Sequence, residues 1–362
     1  MTSKAFELAR LGNAYSDGAL SNRNLIINGA MQVAQRGTSA TGITGSGFHA
    51  VDRFATNGNN GTWTVSHDTD APDGFSNSFK MLLTATEAVG SNSYMAIQQK
   101  IEGQNLQGLA YGTSSAKTVT VSFYVKSNVT GTYCFNLYQD DGTKNYPQNY
   151  TIDSADTWEY KTISFVGDTA TSLDNDNASS VRAMFFLVAG TDFNSGSAGS
   201  RVAYTNATFA AGQTAVVGGA VNDYFQITGV QLEVGDTATP FEHPRSYGDE
   251  LARCQRFYQQ TNCIANTTLP VAAAYSTQQA YGLKTLPVTM RASPTFSKSA
   301  VSDFIVYARF TSYSLSALNA YEALPNQWGV QYTNASSNYT IGDAVYGRCQ
   351  VASAYYAFDA EL

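Results

Sequence analysis

The sequence predicts an all-β protein, with a short N-terminal helix followed by two β domains, and three observations support that class. Only 14% of the 362 residues are charged, compared with about 25% in an average protein. Tyr and Phe are abundant, at 23 and 19 residues, and both favour strands. Short segments of alternating apolar and polar residues are separated by clusters of Gly, Asn and Ser, as strands are separated by turns.

The chain divides into three predicted parts. Residues 1–23 form an N-terminal anchoring helix and linker, 24–245 form a jelly-roll β-sandwich, and 246–362 form a linking helix and a smaller C-terminal β domain. The first helix carries apolar Phe6, Leu8 and Leu11, and an isolated helix this short is marginal in water. We therefore expect it to dock onto another protein or to bundle with its copies; packing on its own domain is the alternative.

The first domain is predicted from its strands. Thr118–Lys126 is the clearest, since apolar residues occupy every second position. Asn24–Gly37 is expected to open the sandwich as a strand with a turn at Asn28-Gly29, and residues 38–47 are expected to form a loop of small residues. Eight or more strands in about 220 residues suit a two-sheet jelly roll. The other predicted strands are Trp63–Val65, Phe79–Thr84, Tyr94–Ile101, Tyr133–Tyr138, Trp158–Phe165, Val181–Ala189 and Tyr224–Glu233.

A helix is predicted to lead into the second domain. Ser246 can cap it, and Tyr247, Leu251, Cys254 and Tyr258 share one face at helical spacing. The domain that follows is small for an independent β core, so its Tyr-rich terminal strand is expected to complete the sheet of a neighbouring copy. The predicted strands of this domain are Ile264–Tyr275, Gln279–Leu286, Phe304–Phe310, Trp328–Tyr332 and the segment 350–362.

Charge and hydropathy exclude several classes of partner. The net charge is −7, and no cluster of Lys and Arg stands out, so nucleic-acid binding and anionic membrane binding are not expected. The apolar runs are far shorter than a membrane span, and the N-terminus lacks the apolar core of a secretory signal. The four cysteines are scattered; buried thiols are expected, and disulfides are left open.

No catalytic constellation is visible, so the chain is predicted not to be an enzyme. A glycosidase needs two carboxylates across a cleft, and no spacing in the sequence selects such a pair. A nucleophile elbow and a phosphate-binding loop are also missing from the sequence. The three histidines are far apart, which disfavours a preformed metal site.

Four stretches resemble structural proteins of tailed bacteriophages. They are NLIINGAMQVAQRGTS (24–39), DRF (52–54), the junction from QLEVG to CQRFYQ (231–259) and FDAEL (358–362). The resemblance implies a homotrimeric tail fibre or spike, attached through its N-terminus to the virion tail or an adaptor and assembled in the host cytoplasm. A head-decoration or collar fibre is one alternative, and a depolymerase of capsule or lipopolysaccharide is another.

The opening NLIING motif and the segment 225–233 also resemble carbohydrate-binding jelly rolls. That resemblance implies recognition of a host-surface polysaccharide through aromatic faces, with Trp63, Trp158 and Trp328 as candidates; core packing is the alternative for each. No cofactor is expected. Jelly rolls often hold a structural calcium ion, so the resemblance leaves one open, with Asp52 and Glu233 as candidate ligands.

Overall fold

The computed structural model describes Lys4 and residues 23–362. It confirms the predicted all-β class. The chain forms two compact units, Met1–Glu250 and Leu251–Leu362, so the division falls five residues after the predicted boundary at 245. The predicted contacts of Phe6, Leu8 and Leu11 lie outside the described residues. Within residues 23–362, no helix has the length and apolar character needed to cross a membrane.

The first unit is a sandwich of two antiparallel sheets. A short helix, α1 (Thr191–Asn194), follows β12. The strands are β1 (Ser39–Ile43), β2 (Gly47–Phe48), β3 (Ala55–Gly58), β4 (Thr62–Asp68), β5 (Ser78–Ala85), β6 (Tyr94–Glu102), β7 (Val119–Ser127), β8 (Gly131–Gln139), β9 (Lys144–Asn145), β10 (Pro147–Ile152), β11 (Glu159–Phe165), β12 (Ser179–Ala189), β13 (Val202–Ala203) and β14 (Tyr224–Val234).

The two sheets enclose one hydrophobic core. The six-stranded sheet has the order β1-β4-β5-β14-β7-β11, and the eight-stranded sheet runs β13-β9-β8-β12-β6-β3-β2 with β10 paired to β8. In β7, Val121 and Phe123 are fully buried, and Phe123 contacts Phe135 and Phe185 at centroid distances of 6.2 and 5.0 Å. Tyr124 therefore faces outward, because successive strand residues point to opposite faces.

The opening segment differs from its prediction. Residues 24–38 form no strand, because Asn28 and Met31 have φ angles of 60° and 55°, which strand pairing does not allow. The Asn28 side chain supplies the missing hydrogen bonds, donating to the carbonyls of Val33 and Asp52 at 2.9 and 3.0 Å. The predicted loop at 38–47 instead contains β1, which pairs with β4.

The second unit combines a closed six-stranded barrel with a small sheet. The barrel order is β16-β17-β21-β20-β19-β22, and the three-stranded sheet is β15-β23-β18. A helix, α2 (Tyr247–Gln255), precedes them. The strands are β15 (Tyr258–Asn262), β16 (Thr268–Ala274), β17 (Gln279–Thr285), β18 (Thr295–Lys298), β19 (Phe304–Ala308), β20 (Thr311–Leu324), β21 (Gln327–Asn334), β22 (Ala344–Cys349) and β23 (Tyr355–Asp359).

Two expectations for this unit need correction. The terminal strand β23 does not complete the sheet of another copy, since it pairs with β15 and β18 of its own chain. Cys263 and Cys349 are joined in a disulfide, whereas buried thiols were expected; Cys134 and Cys254 are buried and free. The predicted helix cap is present, because the Ser246 hydroxyl oxygen accepts the Asp249 amide at 3.1 Å.

Candidate functional site

An open cleft of about 820 Å³ lies on the outer face of the six-stranded sheet. Its floor is formed by outward side chains of β7 and β11, which pair in antiparallel register. Residues 73–75 form one wall, and residues 236–243 of the segment after β14 form the other. The cleft is thus built entirely within the first unit.

Aromatic rings line the floor and walls of the cleft. Tyr124 and Tyr160 are directly paired across β7 and β11, and their ring centroids are 4.9 Å apart. Phe75 lies 5.5 Å from Tyr124 and 5.0 Å from Phe241. The His243 ring is 5.2 Å from Phe75. We call these five residues the aromatic cluster; Tyr160 is 46% exposed, and His243 is exposed as well.

Gly229 makes room for the aromatic cluster. It lies in the β14 irregularity between Thr228 and Gln231 and has a φ of +61°. A Cβ atom at this position would lie 2.7 Å from the Phe75 ring and 3.0 Å from the Tyr124 ring. The glycine therefore allows Phe75 to rest directly on the sheet, in a backbone conformation that other residues adopt only with strain.

Hydroxyl groups form the polar part of the cleft. Thr120 and Ser164 lie with their oxygens 2.9 Å apart. The Thr120 hydroxyl is also 2.8 Å from the Gly235 carbonyl, and the Ser164 hydroxyl is 3.0 Å from the Asp236 carbonyl. On β11, the exposed Thr162 lies between Tyr160 and Ser164 in sequence and also lines the cleft. The exposed hydroxyls of Thr162 and Ser164 therefore lie beside the aromatic rings, whereas Thr120 is buried.

A buried carboxylate fixes the wall formed by residues 236–243. Glu233 accepts hydrogen bonds from the Gln231 amide at 2.8 Å and from both the backbone N–H and the hydroxyl of Thr239 at 2.8 and 2.7 Å. The Gln231 side-chain oxygen accepts the Glu242 amide at 2.7 Å. Because these contacts tie the wall to β14, the cleft is formed before any ligand binds.

The two metal-ligand candidates have protein partners instead. Glu233 is occupied as just described. Asp52 accepts hydrogen bonds from the backbone and side chain of Gln35 at 2.9 and 2.5 Å, and Arg36 lies 3.9 Å away. Both carboxylates therefore have protein hydrogen-bond donors at their oxygens. Among the described residues, no three His, Cys, Asp or Glu side chains are grouped to hold a metal.

None of the three tryptophan candidates lines the cleft. Trp63 and Trp328 are fully buried in the two hydrophobic cores, so neither indole offers a face to a ligand. Trp158 is half-buried, and its indole N–H donates to Asp70 at 3.1 Å. Burial opposes ionisation of Asp70, but hydrogen bonds from Lys126 and Trp158 outweigh it and lower the pKa of that carboxyl. Trp158 therefore helps to hold the ion pair between Asp70 and Lys126.

Sequence reasoning missed the aromatic cluster, although part of its signal was present. Tyr124 and Tyr160 occupy polar-face positions in two of the predicted strands, where a large ring on the solvent side is informative. Phe75 and Phe241 lie in loops far apart along the chain, and local periodicity gives no indication that they meet.

No protein-family model matches the chain, and neither does any curated protein. Among solved structures, the chain is similar to the enzymatically active domain of bacteriophage CBA120 tailspike protein 4, with 12% identity and a TM-score of 0.32. That match covers 59% of this chain and 21% of the tailspike chain, so this chain spans about a fifth of that protein.

Two similar structures are carbohydrate-binding modules. One is TmCBM61 in complex with β-1,4-galactotriose, with 10% identity, coverage of 59% of this chain and 100% of that chain, and a TM-score of 0.29. The other is the family 11 module from Clostridium thermocellum with a mixed-linked tetrasaccharide, with 14% identity, coverage of 57% and 98%, and a TM-score of 0.26. At these TM-scores the similarity carries no weight for function.

Proposed function

We propose that the chain is a non-enzymatic fibre or spike protein of a bacteriophage that binds a host-surface glycan in this cleft. The observation that carries the binding role is the aromatic cluster, open to solvent beside hydroxyl groups on a fixed wall. The apolar C–H face of a pyranose packs well against an aromatic ring, and its hydroxyls need hydrogen-bonding partners. A preformed site also loses little entropy on binding.

The charges of the cleft favour a neutral glycan. Its lining includes Asp73 and Asp236, and no Lys or Arg of the described residues lines it. An acidic polysaccharide would place its carboxylates or sulfates near these two side chains, and like charges repel. Neutral hexose or N-acetylhexosamine chains avoid that cost.

Because a glycosidase uses two carboxylates, Asp73 and Asp236 make glycan hydrolysis the second candidate function. A glycosidase acid is kept protonated by an environment that raises its pKa, usually through burial. Asp73 and Asp236 are both exposed, and Asp236 accepts the Thr237 hydroxyl at 3.0 Å. We therefore propose binding without cleavage. Release of reducing ends from host polysaccharide, lost in Asp73→Asn or Asp236→Asn, would establish hydrolysis instead.

Binding is tested by titrating the full chain with neutral oligosaccharides selected on a glycan array. The wild-type chain and a Tyr247→Ala control, changed at a 56% exposed tyrosine outside the cleft, are expected to bind equally. Tyr160→Ala is expected to bind more weakly. Equal binding by all three proteins would place the glycan site elsewhere.

The virion role rests on the resemblance of the four sequence stretches to phage proteins. We propose that residues 1–22 attach the chain to the virion tail or an adaptor, and that the chain assembles as a homotrimer in the host cytoplasm. Arg23 is excluded from the anchor because its backbone N–H donates to Glu242 at 2.6 Å and its guanidinium to the Pro240 carbonyl at 3.1 Å.

A deletion separates anchoring from folding. A chain without residues 1–22 is expected to fold and to bind glycan, but to be missing from purified particles. Electron microscopy of particles labelled through the full-length chain distinguishes a tail fibre from a head or collar fibre. Normal incorporation of the truncated chain would contradict the anchoring role.

A further inference from the structure

One face of the barrel in the second unit carries several apolar side chains that are exposed to solvent. It comprises the outward residues of β16, β17, β21 and β20, and we call it the barrel face. Val271, Tyr275, Leu283 and Tyr321 are 64%, 73%, 60% and 47% exposed. Tyr281 lies between Tyr275 and Tyr321, with ring centroids 5.7 and 5.0 Å away. These side chains form a continuous strip across the strands.

Charge is sparse on the strands that form the barrel face: Glu322, paired with Gly329, and Lys284 near the end of β17 are the charged residues of β16, β17, β20 and β21. The stretches 271–275, 279–283, 317–321 and 329–333 contain no Asp, Glu, Lys, Arg or His. At the chain average of 14%, about three charged residues would be expected in stretches of this combined length. Depletion of charge with retention of tyrosine is typical of the centre of a protein interface.

The polar groups of the barrel face can pair with copies of themselves. The Gln331 amide donates to the Tyr281 hydroxyl at 2.8 Å, and the Asn319 amide donates to the Gln331 oxygen at 3.2 Å. Side-chain amides and tyrosine hydroxyls both donate and accept. A second barrel face therefore satisfies them without any charged partner.

The shape of the barrel restricts how a partner can bind. Its six strands close on themselves, so no strand edge is free for a partner strand to extend the sheet. Gly329 leaves space for the Tyr321 ring to lie against the surface of the barrel, since a Cβ at position 329 would lie 2.6 Å from that ring. Contact must therefore be made face to face through the Tyr321 ring and its neighbours.

We infer that the barrel face is the contact between copies of this chain. Its four most exposed apolar side chains offer roughly 400–500 Å², taking about 200 Å² for a large side chain. That is over half of the ~800 Å² that each partner buries in a stable interface. Most soluble oligomers are formed from identical chains, and the amide and hydroxyl groups of the barrel face can pair with those of a second copy. The inference rests on the proposed assembly of identical chains and is independent of glycan binding in the cleft.

The test compares the oligomeric state of the full chain with that of a barrel-face variant. Sedimentation velocity and light scattering over about 1 to 100 micromolar are expected to show wild-type assemblies of more than one chain, because self-association depends on concentration. Val271→Lys with Leu283→Lys places positive charges on both sides of the contact, and its dissociation constant is expected to rise at least ~10-fold. Ile264→Lys with Ile341→Lys is the control, at sites 74% and 72% exposed outside the barrel face.

Folding is checked separately from assembly. Both double variants alter exposed side chains, so their circular dichroism and thermal unfolding should match those of the wild-type monomer. Tyr321→Ala removes apolar area without adding charge and is expected to weaken assembly to a smaller extent. A wild-type chain that stays monomeric at the highest concentration overturns the inference. Assembly unchanged in the folded Val271→Lys, Leu283→Lys variant also overturns it.

Discussion

Replacing Tyr160 by alanine isolates the contribution of one ring of the aromatic cluster. Tyr160 is 46% exposed; with about 200 Å² for an aromatic side chain, roughly 90 Å² is accessible to a ligand. A sugar ring covers one face of it, or about 50 Å². At ~25 cal/mol per Å² this area contributes ~1 kcal/mol. With the geometric contribution of ring stacking, the expected loss is about 1–2 kcal/mol, or roughly 5- to 30-fold in dissociation constant.

Isothermal titration calorimetry measures this loss directly. The ligand is the tightest-binding neutral oligosaccharide from the array, and Tyr247→Ala is the control. Because Tyr160 contacts Tyr124 at 4.9 Å, the substitution is also expected to lower the free energy of unfolding by about 1 kcal/mol. That cost leaves the variant folded at the temperature of the titration.

Two results would refute the reasoning. If Tyr160→Ala binds as tightly as wild type, the ring does not contact the glycan. If Tyr247→Ala loses affinity equally, the effect is not specific to the cleft.

Three further predictions follow from particular residues. Gly229→Ala should lower the free energy of unfolding by about 1–3 kcal/mol through backbone strain and displacement of Phe75, and it should weaken glycan binding; calorimetry measures both. Cys349→Ser removes a disulfide that joins residues 86 apart, so the second unit should lose about 4–5 kcal/mol of stability in denaturant titrations; an unchanged midpoint would exclude a stabilising disulfide. Burial, aided by the charge of Arg36, lowers the pKa of His49 below 6.5. The folded state therefore favours the neutral ring, and its contribution to stability, present above pH 6.5, is lost as pH falls. The melting temperature of His49→Gln should decrease less between pH 7 and pH 5 than that of wild type.

Among the strands predicted correctly, β7 has the clearest alternation of apolar and polar residues. In β7, Val121, Phe123 and Val125 alternate with outward residues, and that period is visible without a structure. β20 was missed because its sequence TSYSLSALNAYEAL is rich in Ala and Leu, which have no strand preference of their own. Its neighbours in the closed barrel supply the hydrogen bonds that hold it extended.

The opening segment and the disulfide show where local patterns fail. Residues 24–38 have the composition of a strand, but the side chain of Asn28 replaces the partner strand with hydrogen bonds to Val33 and Asp52. Cys263 and Cys349 are brought together by the pairing of β16 with β22. The disulfide has no short-range signal, since its two cysteines are 86 residues apart in the sequence.

The sequence predicted that a sugar site would be aromatic, but it did not predict which aromatic residues would form the cleft. The resemblance to carbohydrate-binding jelly rolls implies a sandwich that presents aromatic rings to a sugar, and the three tryptophans were the candidates named. The structure buries Trp63 in the core and uses Trp158 to bind Asp70. The rings that line the cleft come from two paired strands and two distant loops, and their meeting depends on the register of β7 with β11 and on the space left by Gly229.

A glycan array probed in parallel with the full chain and with Tyr160→Ala tests the proposed function most directly. We expect the wild-type chain to bind a set of neutral glycans and the variant to lose most of that signal, while both proteins remain folded. Binding to no glycan by the wild-type chain, or equal binding by the two proteins, would contradict glycan recognition in the cleft.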